Sequence, residues 1–450
     1  KVEYTASVDT IADFCFCRCY ALPEFTILPT VKSLGAGVFR QCSSIKTITV
    51  PDGITTIAPQ LFFVCESLTS VTLPNNITSV GESAFANCTS LPELTLPETV
   101  SSIGAACFDH CESLREFVVP EKVTELPEFT FRSTYELTSI KLPSKLTKLD
   151  NYCFDNSRKL PAIDLPATVT SLGIACFRGC DSLATITIPS GITMLADYTF
   201  DNCNGLKSCQ LPDGLLDIGA GVFRGSGLES ITIPESVTAI GTYAFDGTTN
   251  MKSCTLSSNI TTLPNGLFRR SGIETFTMSN KVEFLGSYVF DGASNMKECH
   301  LSESLTSVPG GTFRGCTSLE SITIPAKVTA LDTYLFDGCS GLKTVNLPEG
   351  IVSMPTGVFR GCSSLEKTNI PSTVVSIADN VYYNCKALAK LSIPSSVKTL
   401  GARVFYGSGL TEITIPASVT QMGADLFYGC ADLKKVEFKN SFTSLGQRMF

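Results

Sequence analysis

The sequence predicts a repeat solenoid with a parallel β-sheet, built from about twenty coils of 22–23 residues. Phenylalanine returns every 23 residues, or every 22 residues at three places, and Tyr382 takes its position once. Units this short bury their apolar residues only by stacking on their neighbours. The recurring positions are Phe16, Phe39, Phe62, Phe85, Phe108, Phe131, Phe154, Phe177, Phe200, Phe223, Phe245, Phe268, Phe290, Phe313, Phe336, Phe359, Tyr382, Phe405, Phe427 and Phe450.

The first element of each coil is a short strand that a proline ends. In the coil that leads to Phe336, apolar residues fall at Leu319, Ile322 and Ile324, and this spacing ends in strict alternation. Alternation predicts a strand with one face inward. Pro325 follows at once and cannot donate to a strand ladder, so we expect the strand to end there. Residues 326–336 then form a looser return to the next phenylalanine.

A turn is expected two residues after each phenylalanine, where glycine or asparagine is frequent. Both residues accept the left-handed backbone conformation more readily than other residues do. We therefore predict positive φ at this turn position. Its members include Asn87, Asn156, Gly179, Asn202, Gly225, Gly315, Gly338, Gly361 and Asn384.

The three coils of 22 residues all lose their residue at the same corner. They read SGL at 226–228, SGI at 271–273 and SGL at 408–410, where full coils carry one residue more. A deletion confined to one corner leaves every inward position in register. We therefore expect an unbroken core and one continuous parallel ladder along the array.

A two-coil period lies on top of the single coil. The residue after phenylalanine alternates between Asp and Arg over twelve successive coils, from Asp109 to Arg360. Two residues before phenylalanine, tyrosines such as Tyr243 and Tyr288 alternate with small residues such as Gly266. Coils stack about 5 Å apart. We therefore predict that each charge lies between two opposite charges, and that each tyrosine packs on the glycine of a neighbouring coil.

The segment LTSVTLPNNITSVGESAFANC at 68–88 resembles the BspA-like class of bacterial-type leucine-rich repeats, and the pattern recurs in every coil. The resemblance implies a curved leucine-rich repeat solenoid with its parallel sheet on the concave face. Members are typically secreted or surface-attached proteins of host-associated bacteria and some protozoa, implicated in adhesion to matrix proteins, cells or glycans. They share no catalytic residue. Ser257, Ser279 and Ser302 depart from the pattern by replacing the strand-ending proline.

One period runs through the whole chain, so we interpret residues 1–450 as a single solenoid domain. Val8 and Ile11 precede Phe16 at apolar positions that later coils repeat, and Val2 and Tyr4 match the strand positions before them. Phe450 is itself a repeat phenylalanine. We therefore expect a fragment that is truncated within a repeat at both ends.

Twenty cysteines are explained mainly by the repeat. Twelve lie three residues after phenylalanine, where Ser, Thr and Ala replace them in other coils. Replacement by these small residues favours buried structural thiols over metal ligands. Stacked cysteines have parallel Cα–Cβ bonds, which is poor geometry for a disulfide. The run CFCRC at 15–19 lacks the paired spacing of a zinc motif. We therefore expect reduced cysteines, no metal site and no cofactor.

Several functional classes are disfavoured. The net charge of −8 offers nothing obvious to a nucleic-acid backbone, and no run of eighteen apolar residues predicts membrane insertion. The two histidines, His110 and His300, lie about eight coils apart and do not share a site. No nucleophile, phosphate-binding or zinc-protease motif occurs. The sequence therefore predicts a protein that is not an enzyme.

The exposed side of the strand is the candidate binding surface. Threonine recurs between the inward strand residues, and its hydroxyl both donates and accepts hydrogen bonds, although threonine also simply suits exposed strands. The column is interrupted by other polar residues, and such departures are where specificity is expected. The candidates on the concave face are Thr255, Thr277, His300, Thr323, Asn346 and Asn369.

The leading hypothesis is a secreted or cell-surface protein that binds a matrix or host-cell protein through this face. The first alternative is a structural or antigenic surface spacer. The second alternative is a glycan-binding module, which needs clustered exposed aromatic side chains that the strand face mostly lacks.

Overall fold

Each coil contains up to two short strands, one on either side of the proline corner. The first strand is typified by Ser321–Thr323, whose central side chain is buried and whose outer two are exposed. The second strand, typified by Ala330–Leu331, has two residues. The computed structural model describes residues 7–441 and 445–450, and there it is a parallel β-solenoid of about 19 turns without a helix. The predicted fold class is confirmed, whereas Val2 and Tyr4 lie outside the described residues.

By its internal contacts the chain forms two compact units, Lys1–Leu228 and Glu229–Phe450. In the first unit, the first strands are Thr47–Thr49, Ser70–Thr72, Glu116–Val118, Ser139–Lys141, Thr185–Thr187 and Ser208–Gln210. Its second strands are Thr10–Ile11, Ser33–Leu34, Thr56–Ile57, Ser79–Val80, Ser102–Ile103, Glu125–Leu126, Lys148–Leu149, Ser171–Leu172, Met194–Leu195 and Asp217–Ile218.

In the second unit, the first strands are Ser230–Thr232, Ser253–Thr255, Thr275–Thr277, Glu298–His300, Ser321–Thr323, Thr344–Asn346, Lys367–Thr368, Glu412–Ile415 and Lys435–Phe438. Its second strands are Ala239–Ile240, Thr262–Leu263, Phe284–Leu285, Ser307–Val308, Ala330–Leu331, Ser353–Met354, Ser376–Ile377, Thr399–Leu400 and Gln421–Met422. The second strand was not predicted, because residues 326–336 were interpreted only as a return segment.

The strands pair in parallel, but they form short sheets rather than one continuous ladder, so that expectation was wrong. One cause is proline at the start of the first strand. At that position Thr69 N–H donates to the Lys46 carbonyl oxygen of the preceding coil at 2.8 Å. Pro161 occupies the same position without an N–H, and residues 161–166 form no strand. Proline here interrupts the ladder while the coil continues.

The phenylalanine column is the centre of the core in both units. Phe200 is fully buried, and its ring stacks on those of Phe177 and Phe223 with centroids 5.6 Å apart. In the second unit the rings of Phe313 and Phe336 are stacked at the same 5.6 Å. Stacked aromatic pairs add stability beyond the apolar area that they bury. The core position predicted for phenylalanine is confirmed.

Two positions in each coil adopt left-handed backbone geometry. The predicted turn has positive φ throughout, as at Asn156 with 61° and Gly315 with 70°. A second such position, two residues before phenylalanine, was not predicted, and it includes tyrosines such as Tyr198 with φ 59°. The regular bonds between coils continue there, since Tyr198 N–H donates to the Ala220 carbonyl oxygen at 2.8 Å. Stacking therefore holds the less favourable conformation in place.

The cysteine column makes hydrogen bonds from one coil to the next. The Cys203 thiol donates to the Phe177 carbonyl oxygen at 3.0 Å, and the Cys339 thiol donates to the Phe313 carbonyl oxygen at 2.9 Å. The Ser157 hydroxyl makes the equivalent bond to a phenylalanine carbonyl at 3.1 Å. All twenty cysteines are free. A small side chain with a donor therefore suits the position, which explains why serine and threonine replace cysteine there.

We expect native alkylation to modify Cys15, which is exposed, and to spare buried members of the column such as Cys65 and Cys203. Burial raises the pKa of the Cys65 thiol, and only the thiolate reacts. Peptide mass mapping after iodoacetamide treatment, with and without denaturant, measures this difference. Alkylation of Cys65 or Cys203 in folded protein, or several disulfides in the mass map, would contradict the assignment.

Candidate functional site

The six side chains predicted to bind a partner all lie in the second unit, on one column of its first strands. Each of the first five is the last residue of its strand, and the sixth follows its strand directly. All six are exposed to solvent. The surface that these side chains and their neighbours on the first strands present is called the strand face below. The six are Thr255, Thr277, His300, Thr323, Asn346 and Asn369.

Strand pairing places two couples of these residues side by side. Thr277 is aligned with His300, and Thr323 is aligned with Asn346. Aligned residues of adjacent strands are separated by about 4.8 Å, so each couple can contact one ligand group. The six side chains form a row along the array and do not converge on one point. A row suits an extended partner better than a small molecule.

His300 has a partner on its own strand that the sequence analysis did not predict. The Glu298 Oε1 atom lies 3.1 Å from His300 Nε2 on the same strand, and both side chains are more than 60% exposed. An exposed pair of this kind contributes little to stability. The signal in the sequence was the replacement, at the start of this strand, of the Ser or Thr found in most other coils by Glu.

Asn369 has a structural role that the sequence did not reveal. Its Nδ2 donates to the Leu347 carbonyl oxygen at 2.8 Å, and its Oδ1 accepts from the Leu347 N–H at 2.9 Å. The strand in this coil ends at Thr368, so the side-chain amide takes over the pairing that backbone would otherwise make. Both hydrogen-bonding groups of Asn369 are therefore occupied within the protein.

A cleft opens on the strand face just beyond Asn369. Residues 389–393 form no strand, and the cleft at that place has a volume of 480 Å³. Lys390 and Glu412 lie across it with Nζ and Oε1 3.6 Å apart. A similar cleft of 650 Å³ in the first unit is lined by Asp164, Thr187 and Gln210 and lies at the interruption caused by Pro161. Each unit therefore has a recess beside its first strands, and in the second unit this recess adjoins the row of polar side chains.

Each arginine of the Asp and Arg columns except the last lies between two aspartates, as predicted, and Arg178 for example is close to both Asp155 and Asp201. Its hydrogen bonds, however, go to one of the two only. Arg178 donates to both carboxylate oxygens of Asp155 in the preceding coil, at 2.9 and 2.7 Å. The Tyr152 ring lies beneath the same guanidinium, 5.2 Å from its carbon. Asp155 is 2% exposed. Tyr152, Asp155 and Arg178 of two adjacent coils thus form a cluster in which the charged groups are bonded mainly to one another.

The predicted packing of tyrosine on glycine is confirmed. A Cβ added to Gly266 would overlap the ring of Tyr243, and one added to Gly357 would approach the Tyr334 ring to 2.6 Å. The tyrosine column therefore packs within the array, and it does not offer its ring faces to a ligand.

The residues that the structure describes include neither a metal-binding cluster nor a membrane-spanning helix. Within residues 7–441 and 445–450, no three His, Cys, Asp or Glu side chains gather in a way that could hold a metal ion. His110 instead lies 2.8 Å from Asp109, which also pairs with Arg132. The part of the chain that the structure describes contains no helical segment that could cross a lipid bilayer.

Comparison with protein families gives a match along nearly the whole chain. The model described as a BspA type leucine rich repeat region of six copies matches residues 9–134, 124–251, 175–297, 216–343 and 329–450. The comparison with curated proteins found no match.

Among solved structures, the chain is similar to a leucine-rich repeat protein from Bacteroides ovatus, with 26% identity over 90% of this chain and 82% of the other, at a TM-score of 0.37. A leucine rich cell surface protein from Faecalibacterium prausnitzii is 23% identical over 82% of this chain and 89% of its own, at a TM-score of 0.41. The pneumococcal vaccine antigen PcpA is 21% identical over 73% of this chain and 79% of its own, at a TM-score of 0.45. With TM-scores this low, the family assignment depends on the repeat sequence.

Proposed function

Because the chain belongs to the BspA-type leucine-rich repeat family, we propose that it is a non-enzymatic extracellular or cell-surface protein that binds an extracellular protein through its strand face. The partner class is a matrix protein or the ectodomain of a host-cell protein. The observation that carries the proposal is the row of exposed polar side chains in the second unit, which runs from Thr255 to the cleft at Lys390.

The row has unused hydrogen-bonding capacity. Among the described residues, the side chains of Thr255, Thr277, Thr323 and Asn346 have no hydrogen-bond partner within the protein, and all four are exposed. Hydroxyl and amide groups both donate and accept hydrogen bonds, so the row can bind the backbone and polar side chains of a partner protein. Hydrogen bonds to this row would add to the contacts that a partner makes in the cleft at Lys390.

Charge supports a protein partner of mixed polarity. Near the centre of the row stand Glu298 and His300, and at its end stand Lys390, Glu412 and Lys435. Alternating signs disfavour a uniformly charged polymer and favour a surface with complementary charges of both signs. The structural spacer remains the alternative, and it predicts that no partner depends on these residues.

We expect the double variant His300→Thr and Asn346→Thr to weaken binding to the partner about tenfold, because two departures from the threonine background lose their hydrogen bonds. The partner is first identified by screening purified matrix proteins and host-cell ectodomains against the wild-type chain. Biolayer interferometry on the immobilised variant then measures the dissociation constant. Asn369 is left unchanged because its amide pairs with Leu347.

Tyr288→Phe is the matched control, since it lies off the strand face and keeps the ring on which Gly311 packs. It should bind as the wild type does. If the double variant binds normally while Tyr288→Ala abolishes binding, the interface lies on the tyrosine column and the proposal is wrong. If no protein in the screen binds the wild type, the spacer function is favoured instead.

A further inference from the structure

The last coils of the second unit exchange the chemistry of two columns. From Asp109 to Arg360 the residue after phenylalanine is charged, and the tyrosines stand two residues before phenylalanine. After Arg360 the residues that follow the core aromatic are Tyr383, Tyr406 and Tyr428. The residues two before it become Asn380, Arg403, Asp425 and Arg448. Aromatic and charged groups have traded places along both columns.

The three tyrosines form a stack at the surface. The ring centroids of Tyr383 and Tyr406 are 4.7 Å apart, and those of Tyr406 and Tyr428 are 5.3 Å apart. The rings cover one another's faces and leave edges and hydroxyls outward. No described residue accepts or donates a hydrogen bond at these hydroxyls. The stack therefore presents three unused hydroxyl groups in a row about 5 Å apart.

Beside the stack, two guanidinium groups share one buried carboxylate. Asp425 is 4% exposed and accepts from Arg403 Nε at 3.1 Å and from Arg448 Nε at 2.8 Å. Arg448 Nη2 also donates to it at 3.2 Å. The Arg403 and Arg448 side chains remain 50% and 68% exposed. One carboxylate beside two guanidinium groups leaves a net positive charge. The two Nη groups of Arg403 are free to bind a ligand.

These groups line one cleft. Its volume is 270 Å³, and its walls are Tyr383, Tyr406 and Tyr428 on one side with Arg403, Asp425 and Arg448 on the other. In the regular clusters of the array the equivalent groups are closed, because each arginine pairs bidentately with its aspartate above an aromatic ring, as Arg314 does with Asp291 above Tyr288. The exchange of columns therefore opens a site that differs from these regular clusters.

We propose that this cleft binds a carboxylated sugar residue, such as a sialic or uronic acid at the end of a glycan. A guanidinium is the side chain best matched to a carboxylate, and Arg403 has two free nitrogens to offer it. Tyrosine hydroxyls at about 5 Å intervals suit the hydroxyls of a pyranose ring. Few convergent polar groups on an aromatic wall are typical of a small-ligand site. The site is separate from the strand face.

The test is titration of the folded chain with 3′-sialyllactose and with glucuronic acid, observed by saturation-transfer NMR and isothermal calorimetry. Lactose and glucose serve as the neutral counterparts, and glucose 6-sulfate tests another anion. We expect the carboxylated sugars to bind at least tenfold more tightly than their neutral counterparts, because a charged hydrogen bond is lost with the carboxylate.

Two variants locate the site. Arg403→Gln keeps the Asp425 and Arg448 pair and should weaken binding at least tenfold, and Tyr406→Phe with Tyr428→Phe keeps the stack but removes two hydroxyls and should weaken it about fivefold. Arg314→Gln is the matched control and should bind as the wild type does. The proposal fails if lactose or glucose 6-sulfate binds as well as sialyllactose, if a glutamate tetrapeptide does so, or if Arg403→Gln binds normally.

Discussion

Phe200→Ala is expected to lower the free energy of unfolding by about 3–5 kcal/mol. The Phe200 ring is fully buried between the rings of Phe177 and Phe223, each 5.6 Å away. Removal of the ring leaves a cavity that the neighbouring rings cannot fill, because backbone hydrogen bonds hold them in place. The Phe200 N–H itself donates to the Val222 carbonyl oxygen at 2.8 Å. Damage in a stacked array should therefore spread to the coils on either side.

Guanidinium chloride unfolding followed by circular dichroism measures the loss, and hydrogen exchange at the amides of Phe177 and Val222 measures its spread. Phe284→Ala is the matched control, since that ring is 61% exposed on a second strand. The control should change stability by less than about 1 kcal/mol. Equal stability of Phe200→Ala and wild type would show that the phenylalanine column is not the core.

Gly272→Ala should cost about 2–3 kcal/mol, because a new methyl group has no room at the corner of a short coil. A Cβ at this position would overlap the carbonyl oxygen of Thr249 in the preceding coil. The Gly272 N–H also donates to the Thr248 carbonyl oxygen at 3.0 Å, so the backbone cannot move away without losing that bond. The corner of this 22-residue coil therefore requires glycine at position 272.

The control for this change is Gly214→Ala in an exposed turn, where the added Cβ would meet nothing nearer than 3.9 Å. That variant should be neutral or more stable by up to about 1 kcal/mol, because alanine restricts the unfolded chain. Thermal unfolding of both variants beside the wild type separates the two cases. A loss of the same size in both would assign the cost to lost glycine flexibility and remove the steric explanation.

The repeat itself accounts for what could be predicted of the fold. A residue type that recurs in every coil, such as phenylalanine or the turn glycine, has the same environment each time, so its role follows from the pattern alone. The interruption of the sheet at Pro161 was also visible in the sequence, since proline lacks the N–H that pairs there. The sequence does not show that, in other coils, the N–H at this position donates to the preceding coil, as Thr69 does to Lys46.

The remaining features depend on side-chain direction, which periodicity does not specify. The alternation of Asp and Arg places an arginine between two aspartates, but only the geometry shows that Arg178 donates its hydrogen bonds to Asp155. Asn369 stands in the exposed column of the strand but turns its amide to the Leu347 backbone. The tyrosines after Arg360 are visible as a break in the alternation, yet their stacking with an open arginine beside them appears only in three dimensions.

Binding of a protein partner on the strand face is tested most directly by photo-crosslinking. Benzoylphenylalanine is placed at the position of Thr323, which is exposed in the middle of the row, or at the position of Tyr288, off the strand face. The complex with the matrix or host-cell protein found in the screen is then irradiated, and the cross-linked peptides are identified by mass spectrometry. We expect cross-links to the partner from position 323 and none from position 288. Cross-links from position 288 alone would show that the partner binds off the strand face, contrary to the proposal.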